Sequence, residues 1–363
     1  MGGSTKRGDS DVGFSTTNLS ESVLIDMATI YDVAKKAGVG IGTVSRALND
    51  SPNISPQTKE KVLRVVREMG YKPHALARGL ARKRTGAIGA VVPFFTNYFF
   101  IELLKGIQNE VSRLGYDLVL FSADDVSRGE EILERIVRES RVDAVLYVSM
   151  PLSDKVLHRV QSLRVPVVLV DQFHPNVDSI YVENQRAAYK ATRFMIQHGY
   201  RRLGMINGQL RSRPARERQE GFLQAIREAG LQVRPEWLVE CDNLDGQDGF
   251  NAPAGYRAMR MLLELRERPE ALFVASDVQA YGALRALREA GVRVPDDLAL
   301  IGFDDIQTSE LVGLTTVRQP MFEMGRLAVR RLGNRLKGSD DGLWHKALET
   351  ELVVRQTCSG GRS

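Results

Sequence analysis

The sequence has little cysteine and no long hydrophobic run, and each shortage excludes a class of protein. Its two cysteines, Cys241 and Cys358, lie far apart and form no C-x-x-C pair. This usage is typical of a reducing compartment rather than of a disulfide-rich secreted domain, so we expect a cytoplasmic protein. The longest apolar runs, such as AIGAVVPFF and VPVVLV, are much shorter than the roughly 20 residues that a membrane-spanning helix needs.

The sequence also lacks the motifs of common catalytic and cofactor sites. It contains no H-E-x-x-H, no G-x-S-x-G and no G-x-x-x-x-G-K-S/T. The glycine-rich stretch GVGIG, from Gly38 to Gly42, does not have the spacing G-x-G-x-x-G of a dinucleotide-binding loop, because the third glycine of that motif would fall on Thr43 or Ser45. The stretch also follows a segment of helical character rather than a strand. The histidines show no metal-ligand spacing; they stand at positions 74, 158, 174, 198 and 345. We therefore expect no enzyme, no cofactor and no bound metal.

A basic segment near the start of the chain is the first positive signal. The 363 residues carry a net charge of +5, but residues 28–86 alone hold twelve Lys and Arg against four Asp and Glu, a charge of +8. Such clustering favours a polyanion as partner over a merely solvated charged surface. Residues 1–26 are polar and lack the apolar core of a signal peptide. We expect them to be a disordered N-terminal extension, with Met27 as an alternative translation start.

Capping signals predict three short helices in this basic segment. Thr29 and Asp32 have the spacing of a capping box, and Gly38 suits the left-handed residue that ends a helix. A second helix is expected to begin near Gly40, and Ser55-Pro56 has the composition of a third helix start. The residues expected on the inner faces are Val33, Ala34, Ala37, Val44, Ala47, Leu48, Val62, Leu63, Val66 and Met69. Two helices joined by a tight glycine turn and packed on a third form the helix-turn-helix arrangement, whose second helix enters the DNA major groove.

These motifs resemble the DNA-binding head of the lac repressor (LacI/GalR) family: YDVAKKAGVGIGTVSRALND is followed by ISPQTKEKV and GYKPHALARGLA. The resemblance implies that Ile41, Gly42 and Arg46 stand at the base-reading positions. Arg46 can form two hydrogen bonds to guanine, Ile41 offers an apolar surface to a thymine methyl group, and Gly42 offers no side chain. Candidates for phosphate contacts are Tyr31, Thr43 and Ser45. For the two hydroxyls on the second helix, simple exposure to solvent is the alternative.

Residues 72–86, KPHALARGLARKRTG, are basic and only weakly apolar. So short a segment is unstable as an isolated helix in water, and alone it would indicate a linker. The family resemblance implies a hinge helix that folds only on DNA and pairs with the same segment of a second subunit in the minor groove. Leu80 would then be the apolar wedge between base pairs, and Ala77 would lie where the two hinge helices meet. Arg78 would contact a phosphate group.

From residue 87 onward, apolar strand-like runs alternate with amphipathic helical segments. AIGAVVP precedes FFIELLKGIQNEVSRLG, for example, and ALFVASD and LALIGFDD continue the pattern. Buried strands separated by helices indicate parallel sheets with helices on both faces, and the number of strands favours two such sheets. We therefore expect an α/β core of two doubly wound lobes behind an all-α helix-turn-helix head.

The family resemblance covers nearly all of residues 28–356 and implies a periplasmic-binding-protein-like core. The implied divisions are a head at 28–71, a hinge at 72–86 and a core made of 87–346 and 347–363. Within the core, an N-lobe would combine 87–183 with 318–346, and a C-lobe would combine 184–317 with 347–357. The chain would therefore cross between the lobes three times.

Side chains at the ends of strands are the candidates for a ligand site, because ligands of such folds bind beyond the carboxyl ends of the strands. Arg218 and Asp304 match family positions that contact the effector. A guanidinium fork and carboxylates can hydrogen-bond the vicinal hydroxyls of a sugar, and an aromatic face can stack on its ring. Further candidates are Asn97, Phe99, Asp171, Phe250, Ser276 and Asp277. The alternative for Asp277 is a helix cap, and for Phe99 a place in the core.

These features predict a sequence-specific transcriptional regulator, foremost a repressor that binds a pseudo-palindromic double-stranded DNA operator as a homodimer and responds to a sugar bound between its lobes. Two alternatives stay open. The same regulator could use a purine-like corepressor or a partner protein, since Phe94, Phe95, Tyr98 and Phe99 offer flat apolar surface. The second alternative is a cytoplasmic sugar-binding protein or sugar-processing enzyme. This alternative would leave the charge of +8 in residues 28–86 and the hinge unexplained.

Overall fold

The computed structural model describes residues 28–48, 51–71, 85–93, 97–123, 128–339 and 342–359. The chain divides into two compact units, with the division between residues 82 and 83. The smaller unit, here called the head, is helical, and the larger unit, the core, contains both helices and parallel sheets. In the described part of the chain, no helix is long and apolar enough to cross a bilayer.

Among its described residues, 28–48 and 51–71, the head has three helices: α1 (Ile30–Ala37), α2 (Ile41–Leu48) and α3 (Pro56–Glu68). The predicted capping box opens α1, since the Asp32 carboxylate accepts a hydrogen bond from the Thr29 backbone N–H at 2.8 Å and the Thr29 hydroxyl accepts one from the Asp32 N–H at 3.4 Å. Gly38 ends α1 with φ +63°, a left-handed conformation that a β-carbon disfavours. These local contacts make the turn between α1 and α2 tight.

An apolar cluster between the three helices holds the head together. Val33 and Ala37 of α1, Val44 and Ala47 of α2 and Val62 of α3 are buried in it, as predicted. Val65 of α3 is buried as well, whereas the predicted Leu48, Leu63, Val66 and Met69 are only half-buried. The core-facing stripe of α3 is therefore centred one residue away from the predicted one.

The core is built on two six-stranded sheets, each with helices on both faces. The first sheet, with its helices, is the N-lobe, and its strand order is β11-β5-β4-β3-β1-β2, with all neighbours parallel. Its strands are β1 (Ala87–Val92), β2 (Asp117–Ser122), β3 (Ala144–Val148), β4 (Val167–Val170), β5 (Asp178–Val182) and β11 (His345–Leu348). Its helices are α4 (Tyr98–Leu114), α5 (Gly129–Arg138), α6 (Asp154–Ser162) and α12 (Met321–Leu336).

The second sheet belongs to the C-lobe and has the order β12-β10-β9-β8-β6-β7, in which only β12 runs antiparallel to its neighbour. Its strands are β6 (Leu203–Asn207), β7 (Leu238–Glu240), β8 (Ala271–Val274), β9 (Ala299–Asp304), β10 (Thr315–Arg318) and β12 (Glu351–Val353). Its helices are α7 (Asn184–Gln197), α8 (Arg213–Glu228), α9 (Ala252–Glu264), α10 (Asp277–Glu289) and α11 (Gln307–Leu311). The two doubly wound lobes match the predicted fold class.

The chain crosses between the lobes after β5, after β10 and after β11. The first two follow Val182 and Arg318, the last residues of β5 and β10. The third prediction, at residue 346, falls inside β11, because His345–Leu348 pair in parallel register with β5 of the N-lobe sheet. The crossing therefore follows Leu348, and residues 347 and 348 belong to the N-lobe rather than the C-lobe.

Helices within each lobe pack closely against one another. A β-carbon at Gly106 of α4 would stand 2.0 Å from the Phe322 carbonyl oxygen of α12, and one at Gly325 of α12 would stand 2.3 Å from the Leu103 carbonyl oxygen. Gly221 of α8 meets the Gln185 carbonyl of α7 in the same way in the C-lobe. Such backbone-to-backbone approach leaves little room for helices to slide, so we expect motion to occur between the lobes.

Candidate functional sites

The outward face of α2 carries the three residues predicted to read bases. Ile41, at 41% exposure, is a large apolar side chain in water, and Gly42 and Arg46 are exposed beside it. The Arg46 Nε donates a hydrogen bond to the Gly42 carbonyl at 3.2 Å, which folds the guanidinium over the first turn of the helix. These residues thus form one continuous surface at the N-terminal end of α2.

The three glycines of the GVGIG stretch, Gly38, Gly40 and Gly42, have different structural roles. A β-carbon at Gly40 would meet nothing within 4 Å, and one at Gly42 would meet only the Arg46 Nη2 at 4.0 Å. Folding of the head therefore does not require glycine at either position, in contrast to Gly38 with its left-handed backbone. What these two glycines change is the bulk of the exposed surface at the start of α2.

The remaining predicted DNA contacts belong either to the head or to the hinge segment. In the head, Tyr31 of α1 is 68% exposed, whereas Thr43 and Ser45 of α2 are half-buried. All three lie in the head, where they could position it on a phosphate backbone. The predicted hinge residues Ala77, Arg78 and Leu80 lie outside the described residues.

A cavity lies between the two lobes of the core. Seven of the eight predicted effector residues line it: Asn97, Phe99, Asp171, Arg218, Phe250, Ser276 and Asp304. Most of the polar lining follows the carboxyl ends of strands, as expected for parallel α/β sheets. The other lining residues were not predicted from the sequence: Pro93, Phe100, Ser149, Ser212, Pro214, Gln247, Asp248 and Gln319. Ser149 and Gln319 directly follow β3 and β10, so the strand-end rule could have identified them.

Arg218 is the cation of this cavity, and the protein holds it firmly although it is only 4% exposed. Its Nε donates to the Asn184 Oδ1 at 2.9 Å, its Nη1 donates to the Ala275 carbonyl, and its guanidinium carbon lies 3.7 Å from the centroid of the Phe303 ring. Burial lowers the pKa of Arg218, and the charges of Asp304 and Asp171 oppose that effect. A guanidinium has five N–H donors, so this fixed fork retains donors for a ligand.

Two buried acceptors of the cavity have no donor among the described residues. The Asp171 Oδ2 accepts a hydrogen bond from the Ser149 hydroxyl at 2.7 Å, but Oδ1 has no such partner. The Gln319 side chain donates to the Asp304 Oδ1 at 2.7 Å, while its own Oε1 is unpartnered. Unsatisfied buried acceptors are costly, so both atoms favour a ligand that brings O–H or N–H groups.

Asp277, the eighth predicted effector residue, does not line the cavity. It is fully buried behind it, where its carboxylate accepts hydrogen bonds from the Ile306 N–H at 3.1 Å and from the hydroxyls of Ser309 at 2.6 Å and Thr316 at 2.5 Å. Its neighbour Ser276 is the residue that caps α10, by accepting a hydrogen bond from the Gln279 N–H. The position of Asp277 thus supports a structural role in joining β10 and α11 to the start of α10.

The aromatic and amide side chains of the cavity also connect the lobes. Asn97 of the N-lobe caps α4 through the Phe99 N–H at 3.1 Å, and its Nδ2 donates to the Phe250 carbonyl of the C-lobe at 3.4 Å. Phe250 packs so closely on Gly208 that a β-carbon there would lie 2.5 Å from its ring. Phe99 is 8% exposed and stacks edge-on with Phe100, so it belongs to the core cluster as well as to the cavity wall.

Buried carboxylates in and behind the cavity, Asp304 and Asp277 among them, make the stability of the core depend on pH. Burial raises the pKa of Asp277 to about 8, reinforced by the charge of Asp304. Burial also raises the pKa of Asp304 to about 6, against the opposing charge of Arg218. In both cases the folded state holds its proton to higher pH than the unfolded chain does. The stability gained from proton binding is therefore lost as pH rises through these values.

We predict that the free energy of unfolding of the core falls as pH rises from about 4, the ordinary pKa of an aspartate, to about 8, and that Asp277→Asn, which cannot ionise, makes this fall smaller. The measurement is urea unfolding at several pH values, followed by the fluorescence of the buried Trp237. Asp296→Asn, at an exposed carboxylate of the C-lobe, is the matched control and should retain the full pH dependence. An unchanged pH dependence in Asp277→Asn would contradict this assignment of the titrating group.

Comparison with known proteins matches both units to one family. The family model described as bacterial regulatory proteins, lacI family, matches residues 29–74, and the periplasmic binding protein-like domain matches residues 192–358. Catabolite control protein A of Priestia megaterium is 34% identical over 309 residues, which cover 84% of this chain and 91% of that protein. The HTH-type transcriptional repressor PurR of Haemophilus influenzae (strain PittEE) is 34% identical over 340 residues, which cover 91% and 98%.

Solved structures give the same result. The lac repressor dimer bound to operator and the anti-inducer ONPF superposes with a TM-score of 0.78 at 27% identity, covering 92% of this chain and 99% of that one. The transcriptional regulator CelR in complex with cellobiose superposes with a TM-score of 0.67 at 31% identity, covering 91% and 99%. The head, the two-lobed core and these likenesses agree: the chain belongs to the lacI family of bacterial regulatory proteins, DNA-binding transcriptional regulators with a small-molecule effector site in the core.

Proposed function

We propose that this protein is a cytoplasmic repressor that binds a pseudo-palindromic operator as a homodimer and is controlled by a sugar bound between its lobes. The observation that carries the effector class is the set of groups around the cavity. Arg218 brings spare donors, Asp171 and Gln319 bring unpartnered acceptors, and Phe250 brings an aromatic face. A sugar matches this set, because each hydroxyl both donates and accepts a hydrogen bond and the ring offers an apolar face.

The position of the cavity and a solved relative support the same class. The cavity lies between two lobes and is lined by a few convergent polar groups among aromatic rings, as small-molecule sites commonly are. The CelR structure holds cellobiose, and this chain is 31% identical to it over nearly its whole length. We infer that the sugar changes the angle between the lobes and thereby the affinity of the heads for DNA. We propose no catalytic role for the cavity.

A purine-like corepressor is the second candidate, and the aromatic wall favours it. Phe99, Phe100 and Phe250 all line the cavity, and flat heterocycles stack on such rings. Ring N–H groups could also reach the unpartnered Asp171 and Gln319 acceptors. A sugar and a purine-like ligand differ in how many groups of the cavity they can hydrogen-bond. A panel that contains both kinds of ligand therefore distinguishes the two candidates.

Operator recognition is tested by selecting binding sites from a random duplex pool with the full chain and with a chain lacking residues 1–26. We expect a two-fold symmetric site with a flexible central step, and a guanine in each half-site that depends on Arg46. Arg46→Ala should weaken binding to the selected site by about 1–3 kcal/mol and relax the guanine preference. The control is Arg64→Ala, on an exposed arginine of α3. Binding that is blind to sequence and lost at moderate salt would count against the head as proposed.

Effector class is tested with a panel of cellobiose, monosaccharides and purine bases, read as the shift in melting temperature of the protein. We expect a sugar to raise it and Arg218→Lys to abolish the shift, because lysine lacks the planar fork that the site holds. Arg216→Lys is the matched control on the same helix, since Arg216 is exposed and bonds the backbone carbonyls of Leu210 and Arg211. A shift with purine bases alone would favour the corepressor, and turnover of a sugar would support an enzyme.

A further inference from the structure

The first residue of α8 reaches across to the other lobe. Arg213 belongs to the C-lobe, but its guanidinium carbon lies 5.1 Å from the centroid of the Tyr181 ring and 5.9 Å from that of Phe173. Both rings belong to the N-lobe, and they contact each other edge-on at 5.4 Å. The Arg213 Nη1 also donates to the Oε1 of Gln172, a third N-lobe residue, at 3.4 Å. A cation over two aromatic faces is attracted to both, so this contact stabilises the lobe arrangement seen here.

The same arginine is linked by hydrogen bonds to the effector cavity. The Arg213 Nε donates to the Glu217 Oε1 at 2.6 Å, and the Glu217 Oε2 accepts from the Asn184 Nδ2 at 3.4 Å. The Asn184 Oδ1 then accepts from the Arg218 Nε at 2.9 Å. Three hydrogen bonds therefore connect the aromatic contact on the N-lobe to the cation that lines the cavity. Asn184 is the first residue of α7, so this chain of hydrogen bonds lies directly beside the first crossing between the lobes.

Burial makes this connection sensitive to the position of the lobes. The side chains of Arg213 and Glu217 are only 19% and 24% exposed, and Asn184 is 3% exposed. If the lobes separated, Arg213 would lose both rings and Gln172 together. The residues on either side of Arg213, Ser212 and Pro214, line the cavity itself. A ligand in the cavity and a change in the Arg213 contact therefore act on the same turn of α8.

We propose that Arg213 is a positioning residue that couples the angle between the lobes to the orientation of Arg218, through Glu217 and Asn184. The proposal builds on the proposed effector site, but the contact that it assigns is independent of which ligand binds. With the lobes in the present arrangement, the Arg213–Glu217 pair holds Asn184, and Asn184 fixes the fork of Arg218. With the lobes apart, Arg213 loses the N-lobe contacts that fix it, so it holds Glu217 and Asn184 less firmly and Arg218 is less well oriented for a ligand.

The first test needs no ligand. Spin labels are placed on exposed residues of the two lobes by Ser162→Cys and Met261→Cys; the native Cys241 and Cys358 are buried. The distance between the labels is measured in the full chain by pulsed electron paramagnetic resonance. Arg213→Ala should shift or broaden the distance distribution, Arg213→Lys should do so less, and Arg216→Ala should leave it unchanged. An unchanged distribution in Arg213→Ala, even with a lower melting temperature, would overturn the proposal in favour of a local structural role.

The second test asks whether the two lobes act together on the cavity. Affinity for the sugar that raises the melting temperature is measured for Arg213→Ala, Tyr181→Leu and the double variant. Each single change should weaken binding by about fivefold, and the double variant should be little worse than either, since both remove one contact. Effects that simply multiply would contradict the coupling. If no sugar binds the unaltered protein, the proposed effector class fails, whereas the label distances still decide the role of Arg213.

Discussion

The core of this protein depends on how one buried positive charge is compensated. Arg218 lies between the lobes, where Asp171 and Asp304 supply opposite charge and Asn184 and the Ala275 carbonyl accept its hydrogen bonds. Burying such a cluster is costly unless every polar atom is paired, and acceptors on Asp171 and Gln319 have no donor among the described residues. A ligand that brings hydroxyl groups would complete the set. Ligand binding and association of the lobes therefore draw on the same interactions.

Each lobe is closely packed within itself, so the unpaired acceptors at the cavity can affect how one lobe lies relative to the other. The helix pairs α4 with α12 and α7 with α8 approach backbone to backbone at glycines, which prevents gradual sliding. The chain connects the lobes at three crossings, and Asn184, which holds Arg218, follows the first of them. A change at the cavity can thus be expressed as a change in the angle between two stiff bodies. Arg213, Asn97 and Phe250 are the side chains through which that angle would be sensed.

Local signals in the sequence were enough to predict the head. The caps at Thr29 and Ser55 and the turn at Gly38 depend on residues no more than four positions away, and the structure forms all three as expected. The apolar strands of the core were also predicted, because continuous runs of buried residues identify central strands of parallel sheets. The strand-end rule, together with the family resemblance, named seven residues that the structure places around one cavity, and their role in ligand binding stays a prediction.

What the sequence could not indicate depends on partners far along the chain. The strand β5 begins at Asp178, whose carboxylate is held by Arg331 and Arg335, 153 and 157 residues away. The edge strand β11 reads HKAL with three exposed residues, so its pattern is weak and the third crossing was placed too early. Asp277 lies one residue after the lining Ser276, yet its hydrogen bonds to Ser309 and Thr316 direct it away from the cavity. The Arg213 contact likewise becomes visible only when both lobes are in place.

We propose that the cavity and the DNA-binding head share one conformational equilibrium. Coupling between two sites is reciprocal, so a sugar that weakens operator binding must itself bind less tightly to the operator complex, and by the same factor. The direct measurement is calorimetric titration of that sugar into the free protein and into protein saturated with its selected operator duplex. We expect two affinities whose ratio equals the change in operator affinity caused by the sugar. Equal sugar affinities with and without operator would contradict it, because the cavity would then be independent of the head.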